Sequence, residues 1–139
     1  IKIDPWNPYI HGNTITRWAY DNTQPPPRGY PGQEALEVAE DQIGKPYIYG
    51  AAGPTGYDCS GLITYAYRAI GKKLPHYSGA LRYAGHRVTR PHAGDIVFSI
   101  GHVSLYAGQG RVIEAARPGT NVRRVPMWQR NAVYIRISA

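Results

Sequence analysis

The period of the hydrophobic pattern changes once along this chain, near Pro91, and that change limits the fold more than any other feature. Before it, Ala35, Leu36, Val38, Ala39 and Ile43 recur at close to helical spacing, and Gly44 and Pro46 close the run. Leu62, Ile63, Ala66, Tyr67 and Ile70 mark one face of a second helix, which begins near Asp58 and stops at Gly71. Residues 46 to 57, rich in Gly and Tyr, read as a loop, and residues 74 to 85 as a loop with a short helix. After Pro91 the period moves towards two. Asp95 to Ile100, His102 to Ala107, Arg111 to Ala115, Val122 to Val125 and Val133 to Ile137 read as short strands, with Gly101 and Gly108-Gln109-Gly110 as turns. Helices followed by an antiparallel meander predict an α+β fold, with N-terminal helices packed on a small antiparallel sheet. A length of 139 residues is that of one domain with one core.

Residues 1–31 have a different character. Asp4-Pro5, Asn7-Pro8, Pro25-Pro26-Pro27 and Pro31 predict an irregular, partly extended arm or linker ahead of a folded domain over 32–139. Trp6, Tyr9, Trp18 and Tyr20 are many aromatics for a free linker, so part of the arm is expected to pack on the domain. The chain opens on Ile1 and no signal-peptide pattern follows, as expected of a processed product or a piece of a longer protein. No window approaches the roughly 18 apolar residues of a membrane span. The net charge of +7 favours polyanionic partners. The basic residues are scattered, with Lys72-Lys73 and Arg123-Arg124 the densest spots, and no nucleic-acid motif accompanies them, so nucleic acid is not expected as a partner.

The chain has one cysteine, so no internal disulfide can form. A lone cysteine is ordinarily a small buried hydrophobe. The setting Asp58-Cys59-Ser60-Gly61 argues otherwise. Asp58 suits an N-cap, which puts Cys59 in the first helical turn, where free N–H groups and the helix dipole favour a negative thiolate. Such a nucleophile needs a base, and the base needs a residue to orient it. His102 opens a strand, and Glu114 lies on the next, roughly opposite His102 across a hairpin centred near residue 109. If they share a face, Glu114 accepts a hydrogen bond from the imidazole and fixes its tautomer. The plainer reading of Glu114, an acid on a solvent-facing strand position, stays open. So does a purely capping role for Asp58 and Ser60. Asp95 reads as a structural residue capping a turn. His76, His86 and His92 have no metal-ligand spacing with Cys59 and read as surface or loop residues, and no metal or cofactor is expected.

Several segments together resemble the NlpC/P60 cysteine peptidases. They are Pro46-Tyr47-Ile48-Tyr49-Gly50, Gly56-Tyr57-Asp58-Cys59-Ser60-Gly61-Leu62, Leu74-Pro75-His76-Tyr77-Ser78, Ala93-Gly94-Asp95-Ile96-Val97-Phe98 and His102-Val103-Ser104-Leu105-Tyr106-Ala107-Gly108. Their order and spacing match the family over about residues 33 to 137. Leu81 stands where many members have Gln, Ala51 where a second Gly is common, and Ala93 where Pro is usual.

The resemblance implies a papain-like fold, a helix bearing Cys59 packed on a sheet bearing His102. It implies hydrolysis of peptidoglycan stem peptides, between D-γ-glutamyl and the diamino acid. Cys59 is then the nucleophile, His102 the base and Glu114 the third polar residue, as in actinobacterial Rip-type members. Tyr47 matches a family tyrosine near the thiolate, where it helps hold the oxyanion. Asp58 and Ser60 match positions that contact the substrate's free amino end in some members, and Ser78 lies in a third substrate-side motif. A monomer is expected, secreted or cell-wall-associated or phage-borne, and its positive charge is expected to keep it near anionic wall polymers. A non-catalytic wall-binding module and a papain-like acyltransferase or amidase on another substrate stand as alternatives.

Overall fold

The computed structural model describes residues 31–138, so the arm expected over residues 1–31 lies outside it apart from Pro31. Pro31 is the N-cap residue of α1, Gly32–Glu40, which buries Ala35, Leu36 and Ala39. The helix ends before Ile43, which is 45% exposed rather than part of the buried face. Gln42 turns inward instead, and its Oε1 accepts a 2.7 Å hydrogen bond from the buried Tyr57 hydroxyl. Gly44 follows at φ +100°, a conformation that glycine adopts without a Cβ penalty.

The second helix, α2, spans Cys59–Arg68 and buries Leu62, Ile63, Ala66 and Tyr67 on one face. Each large apolar side chain so buried stabilises the fold by about 1.5–3 kcal/mol. A short α3, Ser78–Leu81, follows. The strands are β1 His86–Val88, β2 Ile96–Ser99, β3 His102–Gly108, β4 Arg111–Glu114, β5 Arg123–Pro126 and β6 Val133–Arg136. They form one six-stranded sheet in the order β1-β6-β2-β3-β4-β5. The expected meander therefore holds for β2 to β5 only. β6 returns across the sheet to pair with β2, and β1 pairs antiparallel with β6 at the edge. β1 was not expected from the sequence, because His86 and Arg87 are exposed and leave no apolar alternation to read.

Ile96, Phe98, Val103, Leu105, Ile113 and Ile135 of the sheet form one core with the buried faces of α1 and α2. Tyr67 of α2 donates a 2.7 Å hydrogen bond to the Gly94 carbonyl. Asp95 is structural, as expected: its carboxylate is fully buried, accepts the His92 N–H at 2.7 Å and pairs with Arg136 of β6 at 2.8 Å.

α2 meets the loop 46–57 at close quarters. A Cβ on Gly61 would stand 1.9 Å from the Ala51 carbonyl oxygen, which itself accepts the Asp58 N–H at 2.9 Å. Gly61→Ala must push the helix start off this loop. We expect a loss of about 2–3 kcal/mol of stability, measured as a shift of the urea midpoint at unchanged slope.

Candidate active site

Cys59 is the first residue of α2, partly exposed, and its helix start is built by Asp58. Asp58 Oδ1 accepts the Gly61 N–H at 2.7 Å, and Oδ2 accepts the Gly50 N–H at 3.0 Å. One carboxylate thus caps the helix and ties the loop 46–57 to it. Ser60 Oγ lies 3.4 Å from Oδ1. His76 Nε2 sits 2.8 Å from the same oxygen, so this exposed loop histidine also braces the helix start. Thr64 Oγ1 donates to the Pro75 carbonyl at 3.2 Å, anchoring the segment that carries His76. Tyr47 packs beside Cys59 and Asp58. Burial raises its phenol pKa, and the negative charges of Cys59 and Asp58 raise it further, so the hydroxyl stays a proton donor.

His102 opens β3, and its Nε2 lies 2.8 Å from Glu114 Oε1 on β4. A β-bulge makes this contact possible. Gly108 pairs with Arg111, but Tyr106 pairs with Val112 and Leu105 with Ile113, so Ala107 is an extra residue on β3. Continuing that register places Glu114 opposite Ser104, with His102 two residues along on the same face. Without the bulge Glu114 would stand opposite Leu105, on the face that packs into the core. The pair is therefore a diagonal one, not the directly opposed one that a simple hairpin suggests. Glu114 is also fully buried, which overturns its plainer reading as a solvent-facing acid.

A buried carboxylate must be paired and hydrogen-bonded to be tolerated. Arg123 and Trp128 do this for Glu114, and Gln129 braces His102; none of the three was expected at the site from the sequence. Arg123 of β5 donates from Nε at 3.0 Å and from a terminal nitrogen at 2.8 Å to Glu114 Oε2. Trp128 Nε1 donates to both carboxylate oxygens, at 2.9 and 3.0 Å. The Trp128 ring also stacks on the imidazole, with centroids 5.0 Å apart and planes at 24°. Gln129 Nε2 donates to the carbonyls of His102 and Val97, both at 3.1 Å, and fixes the backbone that carries the ring. Arg123 and Arg124 are thus not an open basic patch: Arg123 is bound to Glu114 and Arg124 to Glu40.

Glu114 takes Nε2, which leaves Nδ1 of His102 for the Cys59 thiol. Burial alone would push the imidazole pKa down. Hydrogen bonds with Cys59 and Glu114, and the charge of both, outweigh burial and raise it from 6.5 to about 9. Burial pushes Glu114 up, but hydrogen bonds from His102, Trp128 and Arg123 outweigh that and hold it below 4.5. At neutral pH the site therefore contains an imidazolium clamped to a carboxylate beside Cys59. Such a ring can deliver a proton to a leaving amine and later take one from water.

The structure brings together Cys59, His102 and Glu114, with Tyr47, Asp58 and Ser60 around the helix start. Ser78 begins α3 and lies outside this hydrogen-bonded cluster. No group of three or more His, Cys, Asp or Glu side chains is placed to hold a metal ion among the described residues.

The sequence model of the NlpC/P60 family matches residues 44–137. A probable endopeptidase of Corynebacterium glutamicum is 38% identical, over 85% of this chain and 61% of its own length. The peptidoglycan endopeptidase RipA of Mycobacterium tuberculosis is 37% identical, over 73% of this chain and 26% of its own. A solved structure of a RipA mutant superposes with a TM-score of 0.69 at 26% identity, over 91% of this chain and 81% of that one. RipD of M. tuberculosis, described as a non-catalytic NlpC/p60 domain protein adapted to peptidoglycan binding, superposes with a TM-score of 0.63 at 29% identity, over 76% of this chain and 95% of that one. The chain thus spans about three fifths of the Corynebacterium relative and about a quarter of RipA.

Proposed function

The chain belongs to the NlpC/P60 family, and from that premise we propose that it is a cysteine endopeptidase that hydrolyses peptidoglycan stem peptides. The observation that carries this reading is His102, held between Cys59 and the buried Glu114 with its proton retained up to about 9. In the proposed reaction the Cys59 thiolate attacks the scissile carbonyl carbon. The oxyanion takes hydrogen bonds from the Cys59 N–H and the Tyr47 hydroxyl. The C–N bond breaks as His102 gives its proton to the departing amine, which leaves a thioester on Cys59. His102 then takes a proton from water, whose oxygen attacks the thioester and frees the thiolate and a new carboxylate.

The bond we assign is that between D-γ-glutamyl, or its amide, and the diamino acid. Asp58, Ser60 and Ser78 are assigned to the acyl side of the substrate, although Asp58 is already engaged as cap and loop clamp. The enzyme would work in the cell wall, outside the membrane. No helix among the described residues is long and apolar enough to cross one.

Digestion of diaminopimelate-type peptidoglycan and of soluble stem peptides, read by mass spectrometry, tests the proposal. Fragments ending in D-glutamate or D-isoglutamine are expected. Release of nothing from either substrate by the folded protein would overturn it. The likeness to RipD favours a second reading, a non-catalytic wall binder. The assembled Cys59, His102 and Glu114 cluster argues against that reading, since binding alone needs no proton-holding imidazole beside a thiol.

Trp128 offers a graded check. Trp128→Phe keeps a ring over His102 but removes one donor from the buried Glu114. A fall in kcat/KM on the order of tenfold is expected, the cost of one charge-assisted hydrogen bond, in steady-state assays on a stem peptide.

A further inference from the structure

The turn between β2 and β3 and the segment after Trp128 enclose an open cavity of about 530 Å³ beside the imidazole. Its walls include Ile100, His102, Trp128, Arg130 and Asn131. Tyr47, Asp58, Cys59 and Ser60, around the thiol, do not line it. The cavity therefore reaches His102 without being walled by the residues that flank Cys59. Two of its walls bear on what it can hold. Ile100 is a large apolar side chain that is 95% exposed. Arg130 is exposed, is the arginine that lines the cavity and, like most arginines among the described residues, has no carboxylate partner there.

We infer that this cavity binds the amine-side fragment of the substrate and that Arg130 reads a free carboxylate on it. The inference rests on the peptidase reading. In that reaction the departing nitrogen must come to the imidazole to take its proton. The fragment attached to that nitrogen then continues past His102, into the cavity beside it. A diamino acid brings an aliphatic chain that suits Ile100 and the exposed half of Trp128. A carboxylate at the end of that chain, or at the C-terminus of the stem, suits the Arg130 guanidinium, a group that binds carboxylates with two parallel hydrogen bonds. Amidation of that carboxylate removes the charge and one acceptor, so the state of amidation becomes a property the site can sense.

The test uses three synthetic stem tetrapeptides with diaminopimelate as the third residue. One has both leaving-side carboxylates free, one has the distal carboxylate of diaminopimelate amidated, and one has the C-terminal carboxylate amidated. Wild type is expected to cut the free form with a kcat/KM at least about tenfold above one of the amidated forms. The form that loses rate identifies the carboxylate read. Arg130→Gln is expected to bring that ratio to about one, and Arg130→Lys to restore part of it. Equal rates on all three peptides by wild type, or a preference that Arg130→Gln preserves, would overturn the inference and leave the peptidase standing. If wild type cuts none of the three, the peptidase reading fails and this inference with it.

Discussion

Replacement of Cys59 by alanine is expected to lower the rate of stem-peptide cleavage by on the order of 10⁴-fold or more, with the fold intact. The chemistry offers no substitute nucleophile at the start of α2. Ser60 is buried, with its hydroxyl directed at Asp58. The fold has little reason to suffer. The cap bonds from Asp58 to the N–H groups of Gly50 and Gly61 do not involve the Cys59 side chain, which is only partly buried. Stability within about 1 kcal/mol of wild type is therefore expected. Steady-state rates and urea unfolding on the same preparation measure both. Cleavage at the wild-type rate by Cys59→Ala would remove the cysteine from the mechanism and the peptidase reading with it.

The second large effect is expected at Glu114. Glu114→Gln keeps the shape but removes the charge that holds the His102 proton and binds Arg123. A fall in kcat of about 10²- to 10⁴-fold is expected, up to the loss seen when the orienting acid of a catalytic triad is made neutral. The pH profile supplies the more specific signature. His102 stands at about 9, above its ordinary 6.5, because hydrogen bonds and charge from Cys59 and Glu114 outweigh the effect of burial. In wild type the alkaline limb of kcat/KM should fall near 9, as His102 loses the proton it gives to the leaving amine. In Glu114→Gln that limb should move towards neutrality. A limb that stays in place would show that Glu114 does not set the state of His102.

Stability should follow the same pair. His102 is raised on folding, so its contribution is fully present below about 6.5 and is lost as the pH rises through about 9. Glu114 is depressed on folding, so its contribution is present above about 4.5 and is lost as the pH falls through its folded value. One pairing underlies both limbs, and its effect is greatest between roughly 4.5 and 6.5. The variant also leaves Arg123 without its counter-charge. Because Arg123 is about one third exposed, water meets part of that cost, and a loss of about 1–3 kcal/mol is expected. Urea unfolding at pH 5.5 and at pH 9.5 should show the gap between wild type and variant narrow at the higher pH.

The reach of sequence alone follows from what is local. The face of α2 from Leu62 to Tyr67, the cap at Asp58, the strands β2 to β4 and the turn at Gly101 could all be read from hydrophobic period and neighbouring residue types. Each depends on interactions between residues a few positions apart, and the sequence places such residues next to one another. The motif around Cys59 and the strand beginning at His102 were legible for the same reason, with the family resemblance naming their roles.

The tertiary structure decided the rest. β1 left no pattern because an exposed three-residue edge strand buries no alternating face. The diagonal pairing of His102 with Glu114 depends on one extra residue, Ala107, and a bulge of one residue reverses which face every later side chain takes. Arg123, Trp128 and Gln129 read as unremarkable residues of a strand and a loop. They become part of the site only because the chain passes β4 again and brings Arg123 and Trp128 against a carboxylate that burial forbids to stand alone, and Gln129 against the His102 carbonyl. Local sequence determined which residues can do the chemistry. Packing determined which charges are buried together, and so which proton stays on which nitrogen, because the cost of desolvating a charge depends on everything around it.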